Sequence, residues 1–251
     1  MSFEPEPVFD PQAVTPAWIG YVLGREGQCV GCELEAIGTG QVGANYRAHL
    51  SWSDDEGPES VVIKFAASDS QSRSTGIQMG TYEREAEFYR MFAPKLEVAV
   101  PYAHFVDFVP GTADVVIVME DLAPRSQGDQ IGGCSFDEAA LALSQAAKLH
   151  SAFWRKKELS ELAWVSRRTP EQVEQTIALM DLLQPAFVDR YRSDLTAEAL
   201  DLSNRFASDA SHWFDGLPRP VSLVHGDFRL DNLMFADPDT SILPKLVVVD
   251  W

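Results

Sequence analysis

From Tyr46 to Trp52 apolar and polar side chains alternate, with Tyr46, Ala48, Leu50 and Trp52 on one side and Arg47, His49 and Ser51 on the other. That period of two predicts a half-buried strand. A turn over 54–58 leads into the β-branched run Val61, Val62, Ile63, Lys64, Phe65, which predicts its antiparallel partner. Ahead of these, Thr15 suits an N-cap and Pro16 a first helical turn, and Trp18, Ile19, Val22 and Leu23 share one face of a short helix. Glu33 to Ile37 is short and strand-like. The polar, glycine-bearing stretch 68–80 predicts a loop, 81–93 a helix, and 104–109 and 115–119 two strands around the turn Pro110-Gly111. After Leu122 the pattern changes. Ser135 and Glu138 form a capping box opening a helix expected to run to about Lys157, followed by helices over 170–191 and 196–214. Short strands then return at 222–224, 233–235 and 246–249. The fold class is therefore α+β, with a mostly antiparallel β lobe over 1–122 carrying one helix, and a mainly helical lobe over 123–251.

Composition narrows the function classes. The chain has 251 residues, 45% of them hydrophobic, enough for one large domain or two small ones and too many for disorder. Its formal charge of −18, with no basic run longer than Arg155-Lys156-Lys157, argues against nucleic acid and anionic membranes as partners. No apolar stretch approaches the ~20 residues needed to span a bilayer, and the acidic, proline-rich start is unlike a targeting peptide. A cytoplasmic location is expected. Cys29 and Cys32 form a C-x-x-C pair with no second pair to complete a zinc site, so they are expected to be ordinary reduced thiols, as is Cys134.

The most specific string is His225-Gly226-Asp227-Phe228-Arg229-Leu230-Asp231-Asn232, an H-G-D-x-x-x-x-N pattern between apolar strands. An aspartate so placed can take or orient the proton of an attacking hydroxyl, and an asparagine five positions on can offer oxygen to Mg2+. The alternative is a polar turn in which both side chains satisfy backbone groups. Downstream, Leu246 to Val249 is an apolar strand that delivers Asp250 at its end, where a second magnesium ligand would sit.

Gly38-Thr39-Gly40-Gln41-Val42-Gly43 matches G-x-G-x-x-G, and it leads into a strand rather than a helix. That suits a loop covering nucleotide phosphates better than a dinucleotide fingerprint, although a plain hairpin turn has the same pattern. Lys64 lies in the β-branched strand, where periodicity alone leaves it facing either solvent or a cleft. Helix geometry supplies a partner. With Tyr82 at 0°, the apolar face of 81–93 centres near 330° and Glu85 falls at about 300°, whereas Glu83 and Glu87 fall on the opposite side. A carboxylate on an apolar face is costly unless paired, and Lys64 is the natural partner.

This ordered set of residues, together with Val116 to Leu122, resembles the aminoglycoside phosphotransferase and choline kinase superfamily, small-molecule kinases with a bilobal, protein-kinase-like fold. The stretches around Tyr82 to Tyr89, Glu120 to Pro124, Gly128 to Ile131 and Leu149 to Trp154 resemble its ecdysteroid-kinase-like branch. The resemblance implies ATP and Mg2+ as cofactors and a small-molecule hydroxyl as acceptor. It implies catalysis by Asp227, Asn232 and Asp250, with Asn232 and Asp250 as metal ligands. It also implies nucleotide contacts from Gly38, Gly40, Gly43, Lys64 with Glu85, and the backbone of Glu120 and Leu122. His225 is expected to support the loop, Arg229 to neutralise transferred phosphate, and Asp129 and Gln130 receive no role. Family members continue past the position of Asp250 into helices that complete the substrate lobe, so a C-terminally truncated member is expected. A non-catalytic nucleotide-binding module is the alternative; an NAD(P)-dependent oxidoreductase would rest on the glycine pattern alone.

Overall fold

A computed structural model describes residues 7–38, 42–54, 56–165, 169–216 and 222–251. Contacts divide the chain into two compact units, residues 1–153 with 223–251 and residues 154–222. The lobe boundary expected near residue 122 falls inside the first of these.

The first unit is organised by a five-stranded antiparallel sheet of β1 (Cys29–Ile37), β2 (Gly43–Trp52), β3 (Ser60–Ala66), β4 (Ala103–Phe108) and β5 (Val115–Glu120), in the order β1-β2-β3-β5-β4. Alternation in β3 sends Val61, Ile63 and Phe65 into a core with Ala48, Val116 and Val118, which α1 (Pro16–Val22) covers with Trp18 and Ile19. Each such aliphatic or aromatic side chain contributes roughly 1.5–3 kcal/mol on burial. Thr15 caps α1 by accepting from the Trp18 N–H at 3.2 Å, and Trp18 meets Phe105 edge to face at 5.9 Å. Because side chains alternate, the residue between Ile63 and Phe65, Lys64, must point to the other face.

Between β3 and β4 the chain forms α2 (Ser70–Met79) and α3 (Thr81–Glu87), then a π-helical turn over Phe88–Phe92 and a 3-10 turn over Ala93–Lys95. The expected loop over 68–80 is thus a helix. Asp69 caps it through the Ser72 N–H and Gly80 ends it in a left-handed conformation (φ 66°), but its exposed, polar composition carries no apolar stripe from which periodicity could be read. The second expected helix is regular only to Glu87.

A second, three-stranded antiparallel sheet, β6 (Ser126–Gln127), β7 (Leu233–Phe235) and β8 (Leu246–Val248), has the order β6-β7-β8; its first strand was not expected from sequence. Helix α4 (Phe136–Ala152) opens on the Ser135/Glu138 capping box and ends five residues earlier than expected. Its buried Gln145 accepts the Ala99 N–H at 2.9 Å while Ala99 O accepts the Val248 N–H at 2.8 Å, which ties α4 to β8. Residues 222–224 are not a strand.

The second unit contains α5 (Pro170–Tyr191), α6 (Ala197–Ser208) and α7 (Ala210–Asp215), so the helix expected over 196–214 breaks at Asp209. Gln184 of α5 donates to Ser203 and Asn204 of α6 at 3.0 and 3.1 Å. The α+β class expected from sequence is the one the chain adopts. Among the described residues no helix is long and apolar enough to cross a membrane.

Candidate active site

Lys64, directed away from the core by the register of β3, meets two carboxylates. Its Nζ donates to Glu85 Oε1 of α3 at 2.7 Å and to Asp250 Oδ1 at 2.6 Å, just past β8. Burial alone would lower the Lys64 pKa, but the charges of Glu85 and Asp250 outweigh it and hold the ammonium above its ordinary range. Burial raises the Glu85 carboxyl, with Lys64 pulling against it. Asp250 is held below the usual carboxylate range, first by the Lys64 charge. Asp250 also adopts φ 65°, uncommon outside glycine, in a conformation that the ion pair helps to maintain. The structure therefore places Lys64, Glu85 and Asp250 in one cluster.

The loop from His225 to Asn232 lies against the same strand end. Val249 N–H donates to Asn232 O at 3.0 Å, and His225 Nε2 faces Val249 O at 3.0 Å. A carbonyl can only accept, so Nε2 carries the proton, and Nδ1 is left to accept the Asp227 N–H at 3.3 Å. Burial lowers the His225 pKa, in keeping with that neutral ring. His225 thus holds the loop, and Trp251 packs between it (4.6 Å) and Phe88 (3.9 Å, nearly parallel).

The Asp227 carboxylate is fixed on one side only. Its Oδ2 accepts from Arg229 Nε at 3.2 Å and from Asn232 Nδ2 at 3.1 Å; among the described residues Oδ1 accepts nothing. Asn232 is buried, and its Nδ2 also donates to Asp227 O at 2.9 Å, leaving its own Oδ1 without a partner among the described residues. Arg229, expected to neutralise transferred phosphate, pairs with Asp227 and with Asp231 (2.9 Å).

Of the glycines, Gly40 lies outside the described residues. Gly38 has φ 72°, where a side chain would be strained. Gly43 opens β2 so close to β3 that an added Cβ would sit 2.9 Å from Lys64 Cε. Tyr82 of α3 donates to Val42 O at 2.8 Å, linking the loop to the helix that carries Glu85. Glu120 ends β5, its N–H bound to Tyr102 O at 2.9 Å; the Leu122 N–H has no partner among the described residues. Between them Asp121, half-buried, is gripped by Arg47 (2.6 Å), Ser60 (2.7 Å) and the Ala123 N–H (3.0 Å). Burial works against it, but these bonds and the Arg47 charge hold its pKa low. The sequence assigned no role to Asp121, Arg47, Tyr82, Gln127 or Gln130.

The donor set fits a hard divalent cation. Asp250 is ionised, the Asn232 carbonyl oxygen is left over, and both are oxygen donors. Among the described residues no three His, Cys, Asp or Glu side chains gather as a metal site. Mg2+ commonly takes only one or two protein groups and completes its shell with phosphate and water.

Residues 42–251 match the model of the ecdysteroid kinase-like family. The chain belongs to that family. Solved structures similar to this ecdysteroid kinase-like chain include a GDP complex of a mutant aminoglycoside 2'-phosphotransferase, at 18% identity and a TM-score of 0.49, covering 86% of this chain and 65% of that one. A type I macrolide 2'-phosphotransferase is 20% identical with a TM-score of 0.44, covering 94% of this chain and 74% of that one. The chain thus spans about two thirds to three quarters of the length of these phosphotransferases. Among curated proteins no match was found.

Proposed function

We infer that this ecdysteroid kinase-like chain transfers the γ-phosphoryl group of ATP to a hydroxyl of a small molecule. The observation that carries the reading is the clasp of Lys64 between Glu85 and Asp250, with Asp250 joined through Val249 to the loop bearing Asp227 and Asn232. In this reading residues 1–122 form the nucleotide-binding lobe. Backbone groups of Gly38, Gly40 and Gly43 cover the phosphates, and Glu120 and Leu122 offer backbone groups to adenine.

Lys64 is kept charged by its two carboxylates and binds phosphate oxygens, with Glu85 fixing its position. Asn232 Oδ1 and the Asp250 carboxylate would hold Mg2+, which when bound offsets phosphate charge. Asp227 is anchored at Oδ2, so its open Oδ1 faces outward as the proton acceptor. The acceptor oxygen forms its bond to the γ-phosphorus as the bond from that phosphorus to the β–γ bridging oxygen breaks. ADP leaves, and the hydroxyl proton passes to Asp227 Oδ1. Positioning and charge stabilisation supply most of the rate in such transfers.

The test is incubation of the full chain with γ-labelled MgATP and a library of aminoglycosides, amino alcohols, sugars and steroid alcohols. The expected result is one labelled product with matching ADP. No labelled product together with no MgATP-dependent rise in Tm would contradict the reading.

A further inference from the structure

The segment Gln127-Gly128-Asp129-Gln130 reaches the loop from outside the charged cluster; three hydrogen bonds join it to the loop and a fourth to Leu233 just past it. Gln127 Nε2 donates to Asp231 O at 2.5 Å, and the Gly128 N–H to Leu233 O at 2.9 Å. The Gln130 N–H donates to Asp231 Oδ1 at 3.2 Å, and Gln130 Oε1 accepts the Leu230 N–H at 2.9 Å. The approach is close enough that a Cβ on Gly128 would lie 2.6 Å from Leu230 O. Asp129 shapes the turn that presents Gln130, its Oδ1 accepting the N–H groups of Ile131 and Gly132 at 2.8 Å each.

Two of these bonds end on Asp231, and Asp231 leads to the reacting group. Its Oδ2 holds Arg229 Nη1 at 2.9 Å, and Arg229 Nε holds Asp227 Oδ2 at 3.2 Å. Gln127, through Asp231 O, also holds the Asp231–Asn232 peptide from which Asn232 begins. Residues 227 and 232 are thus fixed at both ends of a span whose middle is held by Gln130 and Gln127.

We propose that Gln130 is a positioning residue: by holding the Leu230 N–H and the Asp231 carboxylate it keeps Asp227 Oδ1 and Asn232 Oδ1 aimed at the reacting groups. The proposal rests on the phosphotransfer reading for its consequence but not for its placement. A merely structural clamp would move stability without separating the kinetic constants, and a clamp that acts by accepting one N–H must be replaceable by another acceptor.

The test compares the full wild-type chain with Gln130→Ala and Gln130→Glu, the latter keeping an oxygen that can accept the Leu230 N–H. Amide hydrogen exchange over 227–233 and turnover of MgATP, with water or any library compound that is phosphorylated, are measured together. Gln130→Ala should exchange faster over 227–233 but not over 246–249. Its kcat should fall about tenfold or more, by a clearly larger factor than KM for MgATP rises, since small misplacements at a reacting centre are costly in rate. Gln130→Glu should restore both. Unchanged exchange in Gln130→Ala, faster exchange with unchanged kcat, or no recovery in Gln130→Glu would each overturn the proposal. If the wild type itself neither turns over MgATP nor gains Tm from it, the phosphotransfer reading fails, and exchange alone then decides whether Gln130 holds the loop.

Discussion

Lys64 is held by a sheet and Asp227 by a set of side-chain bonds, although both reach one site within the same compact unit. The β3 register fixes Lys64 to the atom row, with Asn45 and Ile117 as its neighbours, over a core that cannot shift without exposing Ile63 and Phe65. The loop bearing Asp227 belongs to no strand, and no sheet register fixes it. Its shape comes from one or two bonds each from His225, Arg229, Asn232, Gln127 and Gln130, the neutral ones of modest net worth, about 0.5–1.5 kcal/mol. The difference teaches that charge is placed by packing on one side of the site and by polar connection on the other, so the two sides should fail in different ways.

The largest effect is expected where the packed side is broken. Lys64→Met leaves Glu85 buried without its cation, which should cost about 3–5 kcal/mol in urea unfolding. Asp250→Asn, at the exposed end of the same cluster, should cost about 1 kcal/mol or less. Equal losses in the two variants would contradict a sheet-held lysine. On the connected side, Gly128→Ala drives a Cβ against Leu230 O and should cost about 1–3 kcal/mol. Unlike Lys64→Met, it should loosen amide exchange over 227–233 first. Thr15→Ala removes the cap of α1 and should cost about 1 kcal/mol, with exchange over 227–233 unchanged. The smallest effect is a change of slope. Asp121 has a folded pKa below its unfolded value, so its contribution is present above about pH 4 and is lost as pH falls through the folded value. Asp121→Asn should therefore flatten the acid limb of a stability-against-pH curve; an unaltered limb would mean that Arg47 and Ser60 do not hold that carboxylate.

The same contrast explains what could be read from sequence. The pairing of β2 with β3, the capping of α1 and α4, and the placing of Glu85 beside Lys64 all follow from periodicity, because a period of two or 3.6 says which side chains face the core. Helix α2 escaped because it buries little and shows no stripe. The two-residue strand β6 escaped because its place depends on β7, more than a hundred residues away. Gln127 and the role of Gln130 were not legible for a related reason: a glutamine bound to a distant backbone leaves no pattern in its neighbours. The one trace was the likeness of Gly128 to Ile131 to the ecdysteroid-kinase-like branch, which gave Gln130 no role. Spacing placed Arg229 near Asp227, but its ion pair with Asp231 could not be read from it.

The central claim is that Asp227 presents an open carboxylate oxygen to an acceptor hydroxyl while Lys64, Glu85 and Asp250 secure the nucleotide independently of it. Phosphoryl transfer from γ-labelled MgATP by Asp227→Asn, set beside its MgATP affinity, tests this most directly. The account predicts a loss in turnover of about 10²–10⁴-fold, the range typical of a lost general base, with the MgATP Kd within about twofold of wild type. Turnover matching wild type, or loss of affinity in proportion to loss of turnover, would contradict it.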